Sequence, residues 1–220
     1  MTRTDITSVL TCKEVRYNAR LSFSQDGEDM LMANLVDMTR QGFYIDIGAL
    51  HPIRYSNTMF FYMSGWKGIN IDATPGSMDL FKKYRKRDIN IEAGISNTGE
   101  TMTYFIFEEP ALNTFSDDVV REREKQGIHP IREVDVPTYH VMELLDKFIK
   151  ENQKIDILDI DIEGFDKHVI TEWDFSIFRP RIIMFERSNN RDMSVVDLLS
   201  EQGYKIVASS FRNDIYVSDV

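Results

Sequence analysis

Apolar positions along this chain alternate between two rhythms. Short β-prone runs at 43–47 (FYIDI), 68–71 (GINI), 89–93 (INIEA), 155–160 (IDILDI) and 181–185 (RIIMF) are separated by stretches whose apolar residues fall at helical spacing. The first such stretch, 26–39, carries Met30, Leu31, Leu35 and Met38, with Ser24 and Asp26 as candidate caps. Further helices are predicted over 56–63, 75–84, 141–150, 166–172 and 193–202, with Gly65 and Gly203 as stops and Pro75 in a first turn. The chain closes on two adjacent β segments, 204–209 and 214–217, around Arg212 and Asn213. Strand–helix alternation ending in a hairpin predicts an α/β fold whose sheet is mostly parallel, with one antiparallel strand at or near an edge. Between β segments at 101–107 and 132–136, the polar stretch 108–130 is expected to be irregular and to border a substrate entrance.

With 220 residues, 42% of them hydrophobic and 28% charged, the chain suits one folded α/β domain over 41–220, preceded by a helical extension over 1–40 that packs on it. A net charge of −10 argues against nucleic-acid binding, which needs a basic face. The main basic cluster, KKYRKR at 82–87, reads as a solvated helix face rather than an anion or membrane site. A single cysteine, Cys12, leaves no intrachain disulfide and no cysteine-based zinc site, which fits a reducing cytoplasm. Arg3 and Asp5 interrupt any signal-like core, and no apolar run is long enough for an integral membrane segment. The cluster Met59, Phe60, Phe61 and Met63 reads as core, with a homo-oligomer interface as the alternative.

One segment carries chemistry. From Gly42 to Asp72 the pattern is strand, loop, helix, strand, and the second strand ends on an acidic residue. Gly48 removes the side chain where the loop must turn, and Asp72 falls at the distance from it where an acidic residue accepts hydrogen bonds from ribose hydroxyls in nucleotide-binding α/β folds. A single glycine cannot cradle a pyrophosphate as G-x-G-x-x-G does. The loop therefore favours a nucleoside without phosphates, S-adenosylmethionine first, over the NAD of an oxidoreductase or epimerase. A noncatalytic nucleoside-binding protein is the other alternative, since fold alone does not establish activity.

A second segment, IDILDIDIEGF at 155–165, sets Asp159, Asp161 and Glu163 at period two beyond a strand, where Asp46, Asp72 and Glu186 are also expected to gather. Converging carboxylates repel one another unless a cation or ligand compensates. Asp161, Glu163 and Glu186 are accordingly candidate ligands for Mg²⁺ or Mn²⁺, which prefer oxygen donors, or else one carboxylate serves as general base while another positions the cofactor. His51, just past the first strand, is the candidate neutral base.

Seven motifs in order resemble the FkbM-type S-adenosylmethionine-dependent methyltransferases: SQDGED at 24–29, GFYIDIGALHP at 42–52, SNT at 56–58, GWKGINID at 65–72, ISN at 95–97, DIDIEGFD at 159–166 and DFSIFRPRIIMFE at 174–186. The resemblance implies a class I methyltransferase (Rossmann-like) fold, a seven-stranded sheet with an antiparallel last strand and helices on both faces. It implies methyl transfer to a small-molecule or saccharide acceptor, commonly a sugar hydroxyl. By motif, Asp46, Gly48 and Ala49 would border the methionine part of the cofactor, Asp72 would hold ribose, Ser96 would lie near adenine, and Gln25 and Asn57 would close the pocket. Asp161, Glu186 and His51 would serve catalysis. Many members carry Lys where Leu158 or Asp159 stands, so this site is the more acidic one.

Overall fold

The computed structural model describes residues 19–150, 152–187 and 192–219; Cys12, Arg3, Asp5 and the rest of the expected extension up to residue 18 lie outside them. The elements begin with α1 (Glu28–Ala33), β1 (Phe43–Ile47), α2 (Met59–Met63), β2 (Lys67–Asp72), α3 (Met78–Tyr84) and β3 (Ile89–Glu92). An excursion follows, with β4 (Gly94–Ile95), β5 (Thr101–Ile106), a 3₁₀ turn (Pro110–Leu112), α4 (Asp117–Lys125) and β6 (Arg132–Tyr139). The chain then returns through α5 (Val141–Asp146), β7 (Ile157–Ile160), α6 (Asp166–Glu172), β8 (Ile182–Glu186), α7 (Met193–Glu201), β9 (Tyr204–Ser209) and β10 (Asn213–Ser218).

The main sheet has seven strands in the order β3-β2-β1-β7-β8-β10-β9. All neighbours pair in parallel except β10, which runs antiparallel to both β8 and β9. This is the class I methyltransferase arrangement. The antiparallel strand lies one place in from the edge because β9 passes outside it. Period-two alternation splits the core between the two faces. Ile45 and Ile47 of β1 pack with Leu145 of α5, Ile170 of α6 and Leu199 of α7, while Tyr44 faces Met32 of α1, Phe61 of α2 and Trp66. Each such side chain contributes about 1.5–3 kcal/mol on burial. The strand order reverses between β1 and β7, so a crevice opens beyond their carboxyl ends.

Two expectations need correction. The stretch 108–130 is not irregular: Ser116 Oγ accepts from Val119 N at 3.3 Å as an N-cap, and Arg121–Asp118 and Lys125–Glu122 pair one turn apart along α4. The basic cluster is not wholly a solvated face either. Lys82 and Lys83 are exposed, but Arg85 is fully buried and ion-paired to Asp88. Phe61 is core, as expected, whereas Met63 is 62% exposed. Among the described residues no helix is long and apolar enough to cross a membrane.

Candidate active site

The loop after β1 is fixed by β2. Gly48 N and Ala49 N both donate to Ile71 O (2.8 and 3.0 Å), and Asp161 N donates to Ile47 O (2.9 Å), which draws the ends of β1, β2 and β7 together. Gly48 sits at φ +88°, and a Cβ there would lie 1.7 Å from the Asp161 carbonyl oxygen, so only glycine fits. Asp72 closes the same loop, its Oδ2 accepting from Leu50 N (2.9 Å) and its Oδ1 from Thr74 N (2.8 Å). Three side-chain-bearing residues at positive φ, Leu50, Tyr55 and Glu163, line the cavity that results. Backbone held in this region costs about 1–3 kcal/mol per residue and collects at functional sites.

The cavity has a volume of about 260 Å³. Asp46, Gly48, Ala49, Asn57 and Asp72 lie along it with Gln25 and the acidic residues Asp159, Asp161, Glu163 and Glu186. Carboxylate oxygens of Asp161, Glu163 and Glu186 come within 4.8 Å of one another, a donor set that could hold a hard divalent cation. Part of the remaining wall comes from the excursion, through Tyr104, Glu109, Asn113 and Phe115.

These carboxyls hold their protons tightly. Burial raises Asp46 to about 6 against the Thr58 hydroxyl bonded to it (2.6 Å) and the nearby Arg85 charge. Burial, then the neighbouring Asp46, pushes Asp159 well up; the two are register partners on β1 and β7. Asp161 is likewise well raised, by burial and then by Glu163, Asp166 and Glu186. Glu163 rises to about 7 through burial and Glu186 although Arg123 pairs with it, and burial raises Asp166 to about 6. Glu28 goes the other way. Burial pushes it up, but hydrogen bonds from Ser210 (2.7 Å) and Asn213 (2.8 Å) outweigh that and leave its pKa lowered.

Between about pH 4 and 7 the folded protein keeps protons on Asp46, Asp166 and Glu163 that the unfolded chain has released. Stability therefore falls as pH rises through that window. The lowered pKa of His51 acts in the opposite sense, as do those of Glu28, Asp37, Glu109, Asp174 and Asp192 toward the acid end, while Asp72, Asp159, Asp161 and Glu186 are raised and act with the first three. The melting temperature of ligand-free protein is expected to decline from pH 5 to 7.5; a rise across that interval would contradict these assignments.

The structure does not bring every expected residue to the cavity. His51 is not on its lining; its Nδ1 accepts from Ile53 N (3.1 Å) and Arg54 N (2.9 Å), capping its own turn. Ser96 is also off the lining. Its Oγ bonds Thr138 Oγ1 (2.5 Å) and accepts from Gly99 N (3.2 Å), joining β4 to β6, while the neighbouring Ile95 reaches the cavity. Glu28, Tyr104, Arg212 and Asn213 line it without having been singled out from the sequence.

The sequence profile of the FkbM methyltransferase domain matches residues 46–206, from the end of β1 into β9. The chain belongs to the FkbM methyltransferase family. Membership makes it a methyltransferase drawing on S-adenosylmethionine, and the family span contains Gly48, Asp72 and the three clustered carboxylates. No curated protein sequence matches it. Among solved structures it is similar to monomeric WbdD (11% identity, 96% of this chain and 45% of that one, TM-score 0.48). It is also similar to a putative O-methyltransferase from Klebsiella pneumoniae (10%, 100% and 93%, 0.47) and to the O-methyltransferase from Bacillus cereus in complex with SAH (12%, 98% and 91%, 0.42). At these scores the likeness carries no argument about substrate, and the chain spans less than half of WbdD.

Proposed function

We propose that this FkbM-family chain methylates a hydroxyl of a sugar, in a glycan, capsule or nucleotide-linked saccharide, or of a related small acceptor. The observation that carries the reading is one cavity with two chemically different ends. Asp72 and the Gly48 loop lie at the β2 side, and Asp161, Glu163 and Glu186 at the β7 and β8 side. The residues fit the cofactor: Asp72 presents a carboxylate for ribose hydroxyls, Asp46 and Asp159 border the adjoining space, and the buried Oδ1 of Asp159 has no hydrogen-bond partner among the described residues. When bound, S-adenosylmethionine supplies a methyl group already activated on sulfonium.

The protein's own task is to orient the acceptor, exclude water and remove a proton from a weakly acidic hydroxyl. With His51 capping its own turn, that work falls to the three carboxylates. Glu163, pushed up to about 7, matches the pKa a general base needs near neutral pH, and Asp161 and Glu186 flank it to orient the hydroxyl. A divalent ion such as Mg²⁺ would occupy the same oxygens and lower the hydroxyl pKa. Titration calorimetry is expected to show binding of S-adenosylhomocysteine and none of NAD; NAD binding in its place would overturn the reading. In Glu163→Gln, turnover is expected to fall by about 10²–10⁴-fold with S-adenosylhomocysteine affinity kept. Normal turnover in that variant would reject the acceptor-side assignment.

A further inference from the structure

The nucleoside end of the cavity has a lip on each side, and an ion pair joins the two. The first lip is the loop between β1 and α2, whose Leu50 and Tyr55 line the cavity at φ +52° and +58°. His51 Nδ1 accepts from Ile53 N and Arg54 N, and the buried Arg85 guanidinium donates to the Pro52 carbonyl (3.0 Å) and Ser56 Oγ (3.3 Å). The loop is thereby pinned on both sides of Arg54. The second lip is a flap from Phe107 to Asn113. Paired backbone bonds between Phe105 and Thr114 (2.9 and 3.2 Å) close its base, and Phe107 N donates to Asn113 Oδ1 (2.8 Å). Its turn, Pro110–Leu112, lines the cavity, while Glu108, Glu109 and Pro110 are exposed on the outside. Arg54 spans the two lips. Its side chain is 43% exposed and off the lining, yet its guanidinium lies 4.9 Å from the Tyr55 ring centroid and forks onto Glu109 (Nη2 to Oε1 2.7 Å, Nη1 to Oε2 3.4 Å).

We infer that the flap is a lid over the nucleoside end, latched by the Arg54–Glu109 pair, and that S-adenosylmethionine enters and S-adenosylhomocysteine leaves when the latch breaks. This rests on the cofactor reading above and adds how that site opens. Both lips are rooted at the carboxylate proposed to hold ribose. Asp72 accepts from Leu50 N on one side and from Thr74 N on the other, and Thr74 Oγ1 accepts from the Asn113 amide (3.2 Å) at the foot of the flap. A nucleoside on Asp72 therefore lies beneath the bridge. The far edge of the flap is held by Arg123, which donates to the Leu112 carbonyl, so the edge that swings is the one bearing Glu109. Glu109 Oε1 also accepts from Ala111 N (3.3 Å), which lets the turn keep its shape with the latch open. An exposed ion pair is weak and screened by salt, as suits a contact that must break in every catalytic cycle. Its two-pronged geometry, with the Tyr55 ring against the guanidinium, defines one closed position.

Surface plasmon resonance on the immobilised full chain, with S-adenosylhomocysteine as the probe, measures the rates of association and dissociation, and calorimetry the affinity. In Arg54→Gln both rate constants are expected to rise by about three- to fivefold while Kd stays within about twofold, because a latch slows passage in both directions. Glu109→Gln, which keeps an oxygen for Ala111 N, should behave alike. Arg54→Glu sets two acids face to face and should speed exchange at least as much. Raising sodium chloride from about 0.05 to 0.5 M is expected to quicken exchange in the parent and to leave Arg54→Gln nearly unmoved. Parental rates in all three variants would overturn the lid. So would faster dissociation alone with a matching loss of affinity, since Arg54 and Glu109 would then be part of the binding surface. A parent that does not bind S-adenosylhomocysteine at all would strike the cofactor reading itself, and the lid with it.

Discussion

Replacing Arg85 by methionine is expected to destabilise the fold by about 3–5 kcal/mol, a large part of the roughly 5–15 kcal/mol by which domains are stable. The guanidinium is fully buried between the sheet and α2. Its Nε donates to Asp88 (2.9 Å), and its Nη1 and Nη2 donate to the Pro52 carbonyl (3.0 Å), Tyr44 Oη (3.0 Å) and Thr58 Oγ1 (2.7 Å). Thr58 in turn donates to Asp46, so the one cation stabilises two buried acids. Methionine fills the volume but leaves Asp88, whose side chain is also wholly buried, without its counter-charge. The urea midpoint measures the effect. The double variant Arg85→Met with Asp88→Leu should recover much of the loss, because it removes both charges rather than orphaning one. An unchanged midpoint in Arg85→Met alone would show that the network contributes nothing to stability.

Arg85 also shows what the sequence conceals. In KKYRKR it sits among residues that read as solvated, yet it follows Met78 and Phe81 at helical spacing, and both of those are buried. The phase was legible; that a charge would follow it inward was not, because its partners Tyr44 and Thr58 belong to other elements. The β1–loop–β2 unit was legible because its signals are local: β-prone runs, one glycine, an acidic strand end. Asp159, Asp161, Glu163 and Glu186 were legible for a topological reason, since residues at the carboxyl ends of parallel strands converge whatever their separation in sequence. Glu28 was hidden for the converse reason. The groups that hold it, Ser210 and Asn213, stand 182 and 185 positions away, and nothing near Glu28 announces them. His51 was expected at the cavity and is not on its lining: a loop position does not say where an imidazole turns, and here Nδ1 turns back onto the amides of Ile53 and Arg54.

The second large effect is expected at Gly48, where alanine should abolish measurable S-adenosylhomocysteine binding, a loss of about a hundredfold or more from misplacing the cavity floor by an ångström. The added Cβ would stand 1.7 Å from the carbonyl oxygen of Asp161 and 2.6 Å from its carbon. Both are backbone atoms, so no rotamer relieves the clash. Asp161 is itself held to β1 through Ile47 O, and Gly48 to β2 through Ile71 O, so the strain has to be taken up by parting the strand ends. That movement separates Asp72 from the clustered carboxylates and so disrupts the nucleoside end and the acceptor end together. Gly76 is the control. It has a similar φ of +81° but open space around its missing side chain, so Gly76→Ala carries only the backbone penalty, about 1–2 kcal/mol, and should bind the nucleoside as the parent does. Calorimetry on the two variants separates crowding from backbone strain. Parental affinity in Gly48→Ala would mean that the strand ends can part without cost to the pocket, and the reading of this loop as the cofactor's floor would have to be given up.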